Sequence, residues 1–377
     1  MMPHTGTPRR GSQAFAVAAI AVAGFLASMT PWAERLDHTL LDVQWRLLRK
    51  FEARATPDEV IVVGVDEASL AALPEPPPLW HASIGRALSR VAAARPRAVV
   101  FTLPLPDRAF DNVKPGLDRA LFAGLADAIG ASPFVATLEI DPGTRSARRV
   151  HPPFLALLGE KRLGLGLAAV DGDGVARRFT LLVPTEDGGF PTLTGRLCRA
   201  LEKRCSDGLI DYGLGDPVLA VPLRNLLTMQ DDAMVERLFR DRIVLFGQTQ
   251  AYGDRLPVPV DLSAWEPGGD DSPAVVVHAQ TVRTALARAP VEASRPLQFL
   301  LASLCALLFL ARRWPLAWVW AAVIGIVAYA ASTALLRVGN FMPLGAAIAT
   351  LALAAAFRTI VEMRAGIRGG SDIPQPH

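Results

Sequence analysis

Signatures of catalysis are missing from this chain. Its six histidines show no H-E-x-x-H pair or other metal-ligand spacing, and no serine sits in a G-x-S-x-G elbow. Gly164-Leu165-Gly166 is half of a dinucleotide fingerprint, without the third glycine that opens a helix. Asp171-Gly172-Asp173-Gly174 begins like a calcium loop, but its twelfth position is Leu182, where a bidentate Glu is needed. That stretch reads as a turn. No catalytic residue, metal or cofactor is expected, and the chain is not read as an enzyme. An excess of one charge is missing too: the net charge of +3 leaves no electrostatic footprint for nucleic acid. Cysteine is scarce, with Cys198, Cys205 and Cys305 only.

Charge is scarcest between residues 297 and 361, where only Arg312, Arg313, Arg337 and Arg358 interrupt three apolar runs, 297–311, 315–336 and 341–357. A spanning helix needs about 20 apolar residues to cross about 30 Å of hydrocarbon. The second and third runs reach that length, and Trp314 with the arginine pair extends the first to the interface. A further uncharged run, 11–33, follows Arg9–Arg10 without a good small-x-small cleavage site, and reads as an uncleaved anchor. The short-loop arginines at 9–10, 312–313, 358, 364 and 368 all fall on one side of a four-span layout, which the positive-inside rule makes cytoplasmic. The expected division is a cytoplasmic N-terminus 1–13, transmembrane helices 14–33, 296–313, 315–336 and 341–361, an extracytoplasmic domain 34–295, and a cytoplasmic tail 362–377.

Within 34–295, Leu36, Leu40, Val43, Leu47 and Phe51 trace one helical face. Strands are expected at 60–65, 98–103, 134–140, 218–221 and 242–247, helices near 82–94, 117–129, 190–204 and 222–239, and a loop over 256–273. The run 274–289 reads as a strand merging into a helix. Two strands flanking Asp171–Gly174 read as a hairpin. Strands alternating with helices imply an α/β fold with a mixed or largely parallel sheet. In such a sheet ligands sit outside the carboxyl ends of the strands, so Asp66, Ser69, Gln248, Thr249 and Asp254 are candidates for one polar mouth. The alternative is that Asp66 and Asp254 only cap neighbouring backbone. Cys198 and Cys205 are about 10.5 Å apart in an unbroken helix, too far to bridge. The stop at Ser206-Asp207-Gly208 lets the chain turn back near Lys203, and a disulfide is expected.

Four motifs in order, V-V-G-V-D-E-x-S-L (62–70), D-G-D-G-V-x-R-R (171–178), R-I-V-L-F-G-Q-T with G-D (242–254) and V-H-A-Q (277–280), resemble the extracytoplasmic CHASE domain of type 2. The resemblance covers about 32–295 and implies a periplasmic sensory input. It implies roles for Asp66, Ser69, Asp118, Asp173, Arg177, Gly247, Asp254 and His278, with Thr249 beside them. PEPPPLW, 74–80, stands where the family pattern has Trp-Pro-Trp-Pro-Arg, and Thr102 stands where it has aspartate. Members usually carry an output domain after the last span; the sixteen residues after Val361 are too few for one. The expectation is therefore a multi-pass protein of a bacterial inner membrane that passes a periplasmic signal to a separate membrane or cytoplasmic partner. Small residues such as Gly345, Ala346, Ala347 and Ala349 suit a partner or homo-oligomer contact in the bilayer, or the chain's own packing. The alternative is a non-sensing structural subunit of an envelope assembly.

Overall fold

The computed structural model describes residues 10–56, 59–140, 147–184, 189–266, 269–311 and 314–370. They divide into two compact units, Trp45–Ala289 and Met1–Gln44 with Pro290–His377. The arginine pair 312–313, residues 143–146 of the basic linker 143–150 and the segments 1–9 and 371–377 lie outside the described residues.

The first unit is built on a six-stranded sheet: β1 Val60–Val65, β2 Ala98–Phe101, β3 Phe134–Leu138, β4 Leu163–Leu165, β5 Leu219–Pro222 and β6 Ile243–Gln248. The order is β4-β3-β2-β6-β1-β5 and every pairing is parallel. β1 and β2 are buried along their whole length, as continuous β-branched and aromatic runs predict for strands covered on both faces. Side chains alternate. Ile61, Val63, Phe101, Val244 and Phe246 join one core with Leu88, Leu125 and Phe154. That face is covered by the helices His81–Ala93 and Leu117–Ala131, which meet near Gly85 and Gly124; a Cβ on Gly85 would lie 2.2 Å from Ala120 O, and one on Gly124 2.2 Å from Gly85 O. Val62, Val100 and Leu245 are left for the opposite face. The helix Ala274–Ala287 covers it, with Val275 closing on Gly247.

Several sequence expectations are corrected. The runs beside Asp171–Gly174 do not pair with each other. The turn forms, with Gly174 N donating to Asp171 O at 2.8 Å, but β4 adds to β3 while Arg178–Phe179 pairs antiparallel with Gly208–Leu209. Residues 274–287 are helical throughout, because Val275–Val277 are buried with the rest of that helix and tertiary burial outweighs their β-propensity. The expected 222–239 helix is two, Leu223–Thr228 and Asp232–Phe239, since Asp231 caps a fresh start by accepting from Ala233 N and Met234 N. Within 256–273, Arg255–Pro257 and Asp271–Pro273 form a short ribbon. The helix Pro31–Glu52 exists, but it buries Leu41, Trp45 and Leu48, while Val43, Leu47 and Phe51 are exposed.

In the second unit two helices are long and apolar enough to cross a membrane, Pro315–Arg337 and Gly345–Ala365. A third is reached only if Gln13–Ala27 and Pro31–Phe51, bent by 78°, form one span. The expected helix 14–33 is thus broken. Ser28 Oγ and Thr30 Oγ1 donate to the carbonyls of Phe25 and Ala27, and Pro31 starts a new helix without an N–H to give. The expected 296–313 helix is Arg295–Ala306 followed by a tight turn Leu307–Leu310. This unit packs around Ile20, Ala21, Ala306, Leu351 and Ala354. Gly24 is forced by closeness: a Cβ there would lie 2.0 Å from Thr350 Oγ1. Ala346, Ala347 and Ala349 are buried within the chain. Asp37 Oδ1 accepts from Leu344 N and Gly345 N, both at 2.7 Å, and so caps the last helix.

Cys198 and Cys205 are bonded, with Cα atoms 6.2 Å apart. Their helix ends at Ala200, and Glu202 at φ 54° turns the chain so that Lys203 N returns to Cys198 O at 2.9 Å. Replacing both cysteines by serine is expected to lower stability by about 2–3 kcal/mol, the chain-entropy value for so short a loop. Chemical denaturation of the two proteins checks this.

Candidate functional site

In a parallel sheet every strand delivers its carboxyl end to one edge. Because β6 lies between β2 and β1, Thr102, Gln248–Thr249 and Asp66 are set side by side there. What each does next depends on its local partners. Asp66 turns into the backbone. Its Oδ1 accepts from Ser69 N at 2.8 Å and Ser69 Oγ at 2.5 Å, capping the helix Glu67–Ala72. Ser69 is fully buried and its Oγ accepts from Arg224 N at 3.2 Å, tying that cap to the helix after β5. Thr249 is also buried: its N donates to Val65 O at 2.9 Å and its side chain fills the space left by Gly64.

The open part of the edge is a cleft of about 280 Å³ over β2, β3 and β6, where Thr102, Thr137, Glu139, Gln248, Asp254 and His278 meet. Glycines make room for it. A Cβ on Gly247 would lie 2.5 Å from both Thr102 Oγ1 and Val275 Cγ2, so only glycine lets the Ala274–Ala287 helix approach this strand end. Asp254 O accepts from Ala274 N at 2.8 Å, which fixes the start of that helix and carries His278 into the cleft one turn later. Burial pushes the His278 imidazole down from 6.5 to about 4, against the opposing pull of the Asp254 carboxylate. His278 is therefore neutral at neutral pH, a hydrogen-bonding group rather than a cation. At the cleft wall Thr137 Oγ1 is buried and has no hydrogen-bond partner among the described residues. A neutral imidazole, two carboxylates, an amide and two hydroxyls suit recognition of a small polar molecule.

Of the residues proposed for one mouth, Gln248 and Asp254 line this cleft, joined by His278. Asp173 and Arg177 lie elsewhere. Arg177 is 2% exposed and forks onto Asp173 Oδ1 and Oδ2, both at 2.8 Å, with Asp171 Oδ2 at 3.2 Å. Its carbonyl accepts from Ile210 N at 2.8 Å. The D-G-D-G-V-x-R-R motif is thus a turn locked by a buried arginine fork. Arg255, adjacent to Asp254, pairs with Asp271 and Glu266. Asp118 lies by His81, 3.2 Å from its Nδ1. Sequence reasoning passed over Thr137 and Glu139; their place near the carboxyl end of the expected strand 134–140 was the available signal. Thr102 stood out only as a departure from the family pattern, and it donates through Oγ1 to Phe246 O at 2.7 Å.

A family model described as the CHASE2 domain matches residues 16–328. No curated protein and no solved structure matches the chain.

Two outcomes follow from this geometry. Asp66→Ala is expected to cost about 0.5–2 kcal/mol, the usual loss for a helix cap, while Asp66→Asn keeps most of it; thermal unfolding of both variants checks it. Below pH 6.5 the unfolded chain gains a proton on His278 that the folded chain refuses until about pH 4. Stability contributed by neutral His278 is thus lost as pH falls through that window. His278→Asn is expected to flatten the slope of stability against pH between 6.5 and 4.

Proposed function

The chain belongs to the CHASE2 domain family, a family of extracellular sensory domains, and on that footing we propose that it is the membrane-anchored input component of a signalling system. It presents the Trp45–Ala289 unit outside the cytoplasm and passes an event there to a separate membrane or cytoplasmic partner. The observation that carries this reading is the extent of the family match, which runs through the whole of that unit and into the apolar helix Pro315–Arg337.

In this reading the chain crosses a bacterial inner membrane four times with both ends in the cytoplasm. The two long apolar helices support the last two crossings, and the clustering of short-loop arginines supports the orientation. The Asp254–His278 cleft receives the signal, and no bond-making step is assigned to it. The partner is reached through the membrane helices.

Reporter fusions after Thr56, Trp314 and Arg368 are expected to read outside, inside and inside; a cytoplasmic signal at Thr56 refutes the layout and the sensory reading with it. Mild-detergent co-purification identifies the partner, and Asp254→Asn with His278→Leu is expected to change the response while leaving the fold intact. A folded variant with unchanged partner and response points instead to a structural subunit of an envelope assembly.

A further inference from the structure

A second pocket opens at the same sheet edge, on the face opposite the Asp254–His278 cleft. It measures about 320 Å³ and is walled by Ile84, Phe101, Leu103, Phe110, Leu121 and the turn Pro77–Leu79 with Trp80 behind it. The two openings share Pro104 and Gln248. Its chemistry differs from the first. The wall is aromatic and aliphatic, and polar groups enter mainly at the rim, through Gln248, Gln250, Arg148 and Asp107, whose carboxylate is paired with Arg108, with His81 set deeper.

The walls are fixed before anything binds. Trp80 Nε1 donates to Glu75 O at 2.6 Å, which holds the proline segment 74–80 in place. The Phe110 loop is pinned by a reciprocal clasp: Phe110 N and Asp111 N donate to Asp118 Oδ2 at 2.8 and 3.1 Å, and Asp118 N donates to Asp111 Oδ1 at 2.7 Å. The same aspartate faces His81. The imidazole, 6% exposed, is edge-on to Phe110 with centroids 4.9 Å apart. Its Nδ1 lies 3.2 Å from Asp118 Oδ1, close in distance though poorly aligned as a hydrogen bond. A carboxylate on that side favours the tautomer with the proton on Nδ1. Nε2 has no protein partner among the described residues and remains as a lone-pair acceptor on a ring that lines the pocket. Burial lowers the His81 proton affinity, so the ring stays neutral and keeps that lone pair.

We propose that this pocket binds a small planar aromatic molecule bearing one O–H or N–H donor, a phenol or an indole, with its ring against Phe110, Ile84 and the proline turn and its donor on His81 Nε2. An apolar cavity of this size with one imidazole acceptor on its lining selects for shape and for a single donor. An analogue lacking the donor leaves Nε2 desolvated and unsatisfied, which is where discrimination arises. The site also accounts for two sequence features together: the proline-rich replacement at 74–80 forms one wall, and Asp118 serves as the clasp behind another.

The test uses the full chain in lipid nanodiscs, with para-fluorophenol and para-fluoroanisole as probes read by fluorine NMR. The phenol is expected to bind at least about tenfold tighter than the anisole, which has the same ring but no donor. Ile84→Trp fills the pocket and is expected to abolish phenol binding. Gln250→Trp, at the rim, does the same should the first variant fold poorly. His81→Phe is expected to keep binding but bring the two probes to within about threefold of each other. Equal affinities in the unaltered chain, binding that survives a folded pocket-filling variant, or a preference that survives His81→Phe overturns the proposal. These outcomes concern this pocket alone, and a failure here leaves the sensory reading of the Asp254–His278 cleft to its own experiment.

Discussion

Two glycines face each other at the centre of the sheet, and the absence of side chains at that one rung decides the shape of the whole edge. Gly64 of β1 is in register with Gly247 of β6. Thr249 occupies the space above the first, Val275 and Thr102 the space above the second. With alanine at Gly247 the Ala274–Ala287 helix has to lift off the sheet, and His278 leaves the strand ends with it. A packing constraint of this kind explains why the motif at 242–249 reads so uniformly apolar and then breaks at one glycine. The polar groups at the edge are placed by the close approach beneath them.

The central sheet was legible because both faces of β1 and β6 are buried, and a strand buried twice shows as a continuous run with no alternation to misread. The helix at 274–287 was hidden by the same physics: buried all round, its Val275–Val277 run carries no amphipathic period and imitates a strand. Partner choice between strands was not legible either. The turn at Asp171–Gly174 forms as its Asp-Gly pairs suggest, but a turn fixes only its own ends, and β3 offers β4 a better ladder than the opposite arm does. In the apolar unit, run length alone suggested spans that hydroxyl-to-carbonyl bonds at Ser28 and Thr30 interrupt.

The site residues separate along a related line. Motif positions that repeat as charged or polar letters divide into those that hold backbone and those left facing solvent. Asp66, Ser69, Asp173 and Arg177 have their hydrogen bonds consumed by the fold. For Arg177 this is obligatory, since a guanidinium at 2% exposure without carboxylates on two sides would cost several kcal/mol. Asp254 and His278, with Gln248 at the strand end, keep polar atoms at a cleft, and the sequence marks them no differently. What distinguishes them is the helix that starts beside one and carries the other, a relation between 254 and 274 that no local spacing encodes.

The sheet's two outer strands lead to a point about association. β4 has three residues, and beyond it Leu165 bridges to Thr192. β5 ends at Pro222, and just before it Val218 N donates to Leu262 O at 2.7 Å while Ala264 N returns to Val218 O at 3.3 Å. Each border is therefore short and partly taken by a passing segment, and one carries a residue with no amide hydrogen to offer. Among the described residues, a second copy or a foreign peptide therefore finds only a short ladder on which to add a strand. Association through side chains on the helices and loops of this domain is favoured over sheet extension, which leaves the recognition surface open to variation.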